Sequence, residues 1–465
     1  MAGAGRSAGA WPFLAGVALG AAGTAAWAAS SRRRRLDARI LRALPRPADP
    51  PMVVFVPGIL GSQLLRPDGA EAWLNLGNTL GHHDLSLPRK LPFAKSRDEL
   101  VPGLLVGTDA VLPRAFGFTE YADVLDLLDA AGYEPGVGPG LRYAVYTYDW
   151  RRDLVEGARG LALRLEGLAR EIGDPLARFH LVGHSMGGLL VRYYLRFGGA
   201  EPLADAPVTW AGASRVASVV LAATPNGGSL PALGAVLSGE RVGLSYTTLA
   251  ASVVSRMPSI YQLLPPAGTR PLVDAAGEPL DHDLHDPATW ERFGWGPFAP
   301  KSDDRMAPER AFLVAALERA RSFHAALARE AHTPCPVAVH ALGGDCLLTL
   351  ARAVAGEGPP GTPPRLEART RREQDLLYEA GDGRVTRASL LAAHLPAASD
   401  SDAGSGMPEV ERCFFGGADH HGLYADPSFQ SLLLRLLLRP GPRAGLRPRP
   451  EPGPRAAPLA APLSA

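Results

Sequence analysis

The chain has little cysteine, no excess of either charge and no repeated segment. Only three of its 465 residues are cysteines, Cys335, Cys346 and Cys413, which excludes a scaffold built on many disulfide bonds. The sequence leaves two alternatives open, one bridge or three buried free thiols. Lys and Arg number 48 against 47 for Asp and Glu. This balance gives no basic surface for nucleic acid, and we expect no nucleic-acid partner.

Signatures of bound metals and nucleotides are also missing. No glycine-rich phosphate-binding loop and no zinc-type spacing occurs, so we expect no cofactor and no metal. Residues 281–286 alternate Asp with His, but they match no metal signature and predict a solvated loop. With 46% hydrophobic and 20% charged residues, the chain can bury a large core of one elaborated domain or two modest ones.

The most informative segment is an apolar run that ends in the pattern Gly-x-Ser-x-Gly. Residues 178–182 have the composition of a strand and residues 186–196 that of a helix, with Ser185 in the turn between them. Side chains beside the serine would clash in so tight a turn, so glycines flank it and Ser185 takes a strained backbone conformation. The pattern predicts a nucleophile elbow at a helix N-terminus. The alternative is a Gly/Ser turn that only packs a helix close to a strand.

A nucleophilic serine needs a base, and the base needs a carboxylate that orients it. In α/β hydrolases the acid and then the histidine follow the serine along the chain. Asp382 lies between two glycines and is the predicted acid, although an Asp-Gly hairpin turn has the same pattern. Asp345 is the competing acid. His420 is the predicted base, and the adjacent His421 is expected at the surface.

The oxyanion of an acyl-transfer intermediate needs two backbone N–H donors. Residues 52–56 predict a buried strand that leads into a glycine-rich loop. The N–H groups of Ile59 and Met186 are expected to converge on the oxyanion, while a plain strand and turn is the alternative. His180 and His184, on the strand of the elbow, are interpreted as packing or hydrogen-bonding groups.

Five segments, in this order, resemble the lecithin:cholesterol acyltransferase family. They are Val-Pro-Gly-Ile-Leu-Gly-Ser at 56–62, Tyr-Asp-Trp-Arg at 148–151, Gly-His-Ser-Met-Gly-Gly at 183–188, Thr-Pro-Asn-Gly-Gly-Ser at 224–229 and Gly-Asp-Gly-x-Val at 381–385. The resemblance implies an α/β-hydrolase-like enzyme that moves acyl chains from lipid esters to an alcohol or to water. It also implies that Ser185, Asp382 and His420 form a catalytic triad and that Ile59 and Met186 line the oxyanion hole.

Two other functions stay open at this point. One is a plain lipase or phospholipase, and the other is a catalytically silent α/β-hydrolase fold that serves as a binding or scaffold protein at a membrane. The expected partners are a lipid or other acyl-ester substrate and a membrane surface. Residues 148–153 combine aromatic and charged side chains, and we expect them to brace the oxyanion loop or to hold a lipid head group.

The strand and helix signals alternate, which predicts an α/β fold with a mainly parallel sheet flanked by helices. Lid or cap insertions and an N-terminal hydrophobic segment accompany this core. The predicted division is a hydrophobic segment with an arginine cluster at 1–35, a linker at 36–50, the first part of the core at 51–233 with a lid-like excursion at about 75–113, a cap at 234–331, the second part of the core at 332–438 and a disordered tail at 439–465.

The N-terminal segment carries its own prediction. Residues 8–29 are uncharged and mostly apolar, and Arg32 to Arg35 follow soon after. About 20 such residues just span a bilayer. We favour a membrane anchor, which the positive-inside rule orients with the enzyme on the cytoplasmic side. A cleaved secretory signal followed by export, and a disordered leader, are the alternatives.

Overall fold

The computed structural model describes seven stretches of the chain. They are residues 41–73, 84–106, 120–201, 207–241, 248–300, 304–393 and 407–438. The predicted anchor at 8–29 and the predicted tail at 439–465 lie outside them. Within these stretches, no helix is both long enough and apolar enough to cross a membrane. The anchor, its orientation and the division into domains therefore stay predictions.

The described residues form strands and α-helices that are numbered here along the chain. The strands are β1 (Met52–Val56), β2 (Ser62–Leu65), β3 (Glu71–Trp73), β4 (Val101–Leu105), β5 (Glu134–Pro135), β6 (Arg142–Val145), β7 (Phe179–His184), β8 (Val216–Ala222), β9 (Glu240–Arg241), β10 (Thr248–Leu249), β11 (Leu272–Val273), β12 (Ala338–Gly344), β13 (Leu347–Leu350), β14 (Ala353–Val354), β15 (Tyr378–Gly381) and β16 (Val410–Gly416). The helices are α1 (Glu120–Ala130), α2 (Leu154–Ile172), α3 (Met186–Phe197), α4 (Pro231–Ser238), α5 (Ala251–Val254), α6 (Pro258–Tyr261), α7 (Pro287–Phe293), α8 (Ala307–Ala328), α9 (Arg371–Leu377), α10 (Arg387–Leu390) and α11 (Pro427–Leu437).

A parallel sheet of seven strands forms the centre of the fold. Its strands lie in the order β16-β12-β8-β7-β1-β6-β5, and each neighbouring pair is parallel. Within this sheet the chain passes from β1 to β5 and β6 on one side and then to β7 on the other, so the direction of winding reverses at β1. Such a reversal opens a crevice at the carboxyl ends of the strands. The predicted α/β class with a mainly parallel sheet is confirmed.

Both faces of this sheet are covered because side chains alternate along each strand. Val54 and Val56 of β1 belong to an apolar cluster that includes α2 and α3. Val53 and Phe55 point the other way and belong to a cluster that includes α1 and α11. The helices therefore lie on the two faces and leave the carboxyl ends of β1 and β7 open to a site.

Helix α2 shows how local sequence sets an element. The Asp153 side chain caps its N-terminus by accepting a hydrogen bond from the Val155 N–H, at 3.2 Å, and Gly173 ends it with a φ of 78°. Leu154, Leu161, Leu165 and Leu168 recur at helical spacing, which predicts one buried face, and all four are buried. Ile172 continues this spacing at the last position of the helix, but it is 40% exposed.

The predicted lid-like excursion at about 75–113 is partly an ordered sheet. Strand β4 pairs antiparallel with β2, which also pairs with β3. The sequence pattern predicts no strand in this excursion, but Val101–Leu105 forms one, because β2 supplies its hydrogen-bond partners. Residues 74–83 and 107–119 lie outside the described stretches, and a lid role stays a prediction.

The segment predicted as a cap packs through aromatic side chains. Trp290 and Trp295 are buried, and the Phe293 ring stacks on Trp295 at 4.8 Å between centroids. The predicted solvated loop at 281–286 is wrong at His285, which is buried against His324 with centroids 5.3 Å apart. No group of three or more potential metal ligands lies together among the described residues.

All three cysteines are free. Cys346 and Cys413 are exposed, and Cys335 is half-buried. The alternative of one disulfide is therefore wrong, and so is the expectation that free thiols would be buried. The two exposed thiols lie near the end of β12 and on β16, an edge strand of the sheet, where fewer neighbours cover them.

Arg151 connects residues 84–106 to the end of the central sheet through hydrogen bonds and ion pairs. Its side chain is fully buried and forms a bidentate pair with Asp98, with nitrogen to oxygen distances of 2.6 and 2.9 Å. A second pair, at 2.8 and 2.9 Å, joins it to Asp149, and the Leu85 carbonyl accepts a further bond at 3.1 Å. Because Leu85 and Asp98 belong to residues 84–106, this one guanidinium fastens that segment to the end of the sheet.

We predict that Arg151→Met lowers the free energy of unfolding by about 3 kcal/mol, because it leaves two carboxylates without their buried partner. Urea denaturation followed by circular dichroism measures this. Arg164→Met is the matched control, since its pair with Glu171 is 39% and 50% exposed and is worth at most about 0.5 kcal/mol. Equal costs for the two variants would contradict the assigned role.

Candidate active site

The turn between β7 and α3 has the strained geometry that the sequence predicts. Ser185 has φ 52° and ψ −126°, which a residue with a side chain rarely adopts. A Cβ on Gly183 would lie 2.7 Å from the Gly188 Cα, and one on Gly187 would lie 2.3 Å from the Pro57 carbonyl oxygen. Only glycine fits at either position. The turn presents Ser185 at the carboxyl end of β7 and at the N-terminus of α3.

The structure brings Ser185, His420 and Asp382 together. His420 Nε2 lies 3.0 Å from Ser185 Oγ, and His420 Nδ1 lies 2.8 Å from Asp382 Oδ2. The backbone N–H of His420 also donates to the Asp382 carbonyl, at 2.9 Å. All three residues are buried. The result is one continuous hydrogen-bonded path from carboxylate to hydroxyl.

Asp382 is held in its charged form. Burial alone would raise the pKa of its carboxyl, but attraction to His420 and hydrogen bonding outweigh burial and lower the pKa. Besides His420, two backbone N–H groups donate to Oδ1, those of Arg384 at 2.9 Å and Val385 at 2.7 Å. The tight turn after Gly381 supplies both donors, so the charge is compensated by the loop itself.

One detail of the predicted placement of Asp382 is wrong. In an α/β-hydrolase sheet the order Ser185, Asp382, His420 predicts that each of them follows a strand of the central sheet. However, β15, which precedes Asp382, pairs antiparallel with β13 outside that sheet. After β12 the chain leaves the central sheet and forms β13, which pairs with β15 in a separate two-stranded sheet. His420 follows β16, which is a strand of the central sheet.

The two alternatives to the predicted acid and base, Asp345 and His421, are not part of this hydrogen-bonded path. The Asp345 carboxylate pairs with Arg387 at 3.3 Å rather than with His420. His421 is exposed, as expected, and its ring lies edge-on to His420 with centroids 5.5 Å apart. The geometry therefore favours Asp382 over Asp345 and His420 over His421.

The backbone amides of Ile59 and Met186 lie at neighbouring strand ends. Val56 of β1 is in register with Gly183 of β7, so the loop after β1 meets the start of α3. A Cβ on Gly58 would lie only 2.9 Å from the Ser185 Cβ. The oxyanion-hole role of the Ile59 and Met186 amides stays a prediction.

Aromatic side chains fix the loop that carries Ile59. Tyr148 donates its hydroxyl to the Pro57 carbonyl at 3.0 Å, and Trp150 Nε1 donates to the Ser62 carbonyl at 3.0 Å. Trp73 Nε1 donates to the Leu60 carbonyl at 2.9 Å. These contacts agree with the bracing interpretation of residues 148–153. Trp73 is a supporting residue that the sequence did not indicate.

A largely apolar pocket of about 1000 Å³, including its open mouth, lies over Ser185. Its apolar wall comes from β10, α4, α5, α6 and the residues beside them, and consists of Ala232, Ala235, Leu249, Val254, Met257, Ile260 and Leu263. None of the aromatic residues at 290, 293, 295 and 298 lines it. The sequence gave these wall residues no role. An apolar stretch around residues 253–264 was the signal for the last four of them, and the first three had none.

One ion pair lies in the wall of this pocket. Arg384, two residues after Asp382, pairs with Glu240 at 2.8 Å, and both side chains line the pocket. The Arg384 carbonyl accepts a hydrogen bond from Ser229 Oγ at 2.7 Å. The loop that carries the carboxylate is thereby joined to β9 beside the pocket.

The parallel sheet, its reversal at β1 and the serine elbow after β7 define an α/β-hydrolase fold. The family model described as Lecithin:cholesterol acyltransferase matches residues 113–299 of the chain, a span that contains Ser185. This match confirms the resemblance seen in the sequence motifs. At the level of that family, it supports an enzyme that transfers or hydrolyses the acyl groups of lipid esters.

Solved structures of similar fold are distant from this chain. The structure described as the Tle4–Tli4 complex is 17% identical, with a TM-score of 0.49, and covers 84% of this chain and 99% of its own. The mature Bacillus licheniformis lipase BlEst2 is 14% identical, with a TM-score of 0.36 and coverage of 85% and 95%. Phospholipase PlaB from Legionella pneumophila is 18% identical, with a TM-score of 0.20 and coverage of 44% and 32%. No curated protein matches the chain.

We predict that Asp382→Asn makes the free energy of unfolding depend less on pH in the acid range. The pKa of the Asp382 carboxyl is lower in the folded protein than in the unfolded chain, where it is about 3.9. The charged carboxylate therefore stabilises the fold above pH about 3.9, and this stabilisation is lost as pH falls through the folded-state pKa. The wild type should therefore lose more unfolding free energy than the variant as pH falls from about 5 to about 3. Urea midpoints measured across this range test it. Asp375→Asn, at a carboxylate 67% exposed, should keep the wild-type slope.

Proposed function

We propose that the protein is a serine-dependent enzyme that takes an acyl group from a lipid ester and passes it to an alcohol or to water. The observation that carries this proposal is the continuous hydrogen-bonded path from Asp382 through His420 to Ser185 on the floor of an apolar pocket. The match to the lecithin:cholesterol acyltransferase model supports the same class of chemistry.

In the first half of the reaction Ser185 Oγ attacks the ester carbonyl carbon, and His420 Nε2 takes the hydroxyl proton. The carbonyl oxygen becomes an oxyanion, which accepts hydrogen bonds from the Ile59 and Met186 amides. Asp382 stabilises the positive imidazole that results. The intermediate then collapses, the ester C–O bond breaks, and His420 returns its proton to the departing alkoxide. An acyl group remains bonded to Ser185.

In the second half an alcohol or a water molecule replaces the leaving alcohol. His420 Nε2 removes its proton, its oxygen attacks the acyl carbon, and a second oxyanion forms between the same two amides. Collapse transfers the acyl group and returns the proton to Ser185 Oγ. Whether transfer or hydrolysis dominates depends on how well the loaded pocket excludes water.

The apolar wall suits an acyl chain. Each CH₂ group that leaves water for such a wall gains about 0.8 kcal/mol, so a long chain binds more strongly than a short one. Ser185, His420 and the Ile59 loop line the same pocket, so a chain held by α4 and α6 has its ester group beside the nucleophile. Binding energy from the chain is thereby used to orient the carbonyl carbon.

We expect Ser185→Ala and His420→Ala to abolish labelling by a fluorophosphonate probe and to lower turnover of a long-chain ester at least about 10³-fold. Asp382→Asn should also slow turnover strongly, because the imidazole loses its orienting charge. Asp345→Asn is the control and should keep wild-type turnover. If folded wild-type protein neither labels nor turns over, the catalytic proposal fails and the scaffold interpretation takes its place.

A second prediction concerns chain length. Ala235→Phe puts a large ring into the pocket wall, so it should reduce kcat/KM for a long-chain ester by about tenfold or more while sparing a short-chain ester. Kinetics on a series of p-nitrophenyl esters measure this. Ala325→Phe, at an exposed position of α8, is the matched control. A uniform loss across the series would contradict an acyl role for this wall.

A further inference from the structure

A second hydrogen-bonded path reaches His420 from the opposite side, and the mechanism above does not use it. The Gly58 N–H donates to the Tyr121 hydroxyl oxygen at 3.0 Å. The Tyr121 oxygen lies 3.1 Å from His184 Nδ1, and His184 Nε2 lies 3.3 Å from the His420 carbonyl oxygen. Gly58 precedes the oxyanion-hole residue Ile59, so the path joins the oxyanion loop to the histidine loop.

The direction of every bond in this path follows from its two ends. The His420 carbonyl can only accept, so His184 Nε2 carries a hydrogen and donates it. Nδ1 of the neutral ring then accepts, and the Tyr121 hydroxyl is its donor. The tyrosine oxygen keeps lone pairs for the Gly58 N–H. With a neutral His184 ring, every donor in this path therefore meets an acceptor.

The surroundings of His184 keep it neutral. The ring is buried, and burial together with repulsion from His420 and His421 holds its pKa well below the usual value. This matters because His420 becomes positive when it takes the Ser185 proton. A second positive imidazole, with ring centroids 5.0 Å away, would oppose that transfer. A neutral His184 adds no positive charge beside His420, whose own positive charge is stabilised by Asp382.

We propose that Tyr121 and His184 are positioning residues that hold the His420 loop and the oxyanion loop in one fixed relation. The His420 backbone is then fixed at both ends, since its N–H donates to the Asp382 carbonyl and its carbonyl accepts from His184. The Gly58 amide is fixed at the other end of the path. This inference rests on the proposed function, because the relation matters only if the Ile59 amide and His420 act on one substrate.

Simple packing is the competing explanation. The His184 ring contacts Tyr121 and Tyr424 edge-on, with centroids 5.6 and 5.4 Å apart, and an apolar side chain of similar volume would preserve much of that contact. If packing is all that matters, Tyr121→Phe and His184→Leu change stability without changing kcat. If positioning matters, both lower kcat in protein that is fully folded.

The experiment uses the full-length protein with p-nitrophenyl butyrate as substrate and fluorophosphonate labelling to count active sites. We expect Tyr121→Phe and His184→Leu to lower kcat per labelled site about tenfold, as loss of one orienting hydrogen bond in a buried site predicts, with KM changed by less than about twofold. The matched control is Tyr133→Phe, at another buried tyrosine of the cluster that contains α1, which should keep wild-type kcat.

Two amide variants test the direction of the bonds. His184→Gln keeps an N–H near the Nε2 position and should recover much of the kcat lost in His184→Leu. His184→Asn keeps an acceptor for Tyr121 but has no donor that reaches the His420 carbonyl, so its kcat should stay low. Wild-type kcat in Tyr121→Phe, or equal kcat in the Leu and Gln variants, would overturn the inference. An inactive wild type would instead overturn the proposed function.

Discussion

The close approach of two backbone segments is the constraint on which the site depends. The loop after β1 meets the start of α3 so closely that a Cβ on Gly187 would lie 2.3 Å from the Pro57 oxygen. Neighbouring strands lie only about 4.8 Å apart, and the register of Val56 with Gly183 leaves no room for side chains between their ends. The loop that carries Ile59 therefore lies beside Ser185 and the start of α3.

The groups around His420 differ in charge. Asp382 is anionic and receives two backbone N–H bonds, whereas His184 is neutral and donates to the His420 backbone. His420 thus has a fixed negative partner on one side and an uncharged one on the other. In the proposed mechanism, the proton that His420 exchanges with Ser185 is the one at Nε2. Each donor and acceptor in this arrangement is positioned by a neighbouring loop.

The sequence predicted the parts of the site that follow from backbone geometry. Gly183 and Gly187 indicated the elbow because no other residue fits there, and the order of Ser185, Asp382 and His420 followed from the winding of an α/β sheet. It misplaced the strand before Asp382, because pairing between β13 and β15 is a long-range choice that no local pattern specifies. It also missed the ordered strand at Val101–Leu105, whose partner is about 40 residues away along the chain.

The pocket was beyond prediction for a different physical reason. Its wall combines short elements, α4 to α6 and β10, whose side chains come together only in the folded chain. An alanine or leucine there has the same local pattern as one in any core, so nothing in the sequence separates a lining residue from a packing residue. Backbone constraints thus specify the chemistry, whereas packing between elements specifies the substrate. Related chains can therefore keep the elbow and its partners and still differ in which ester they accept.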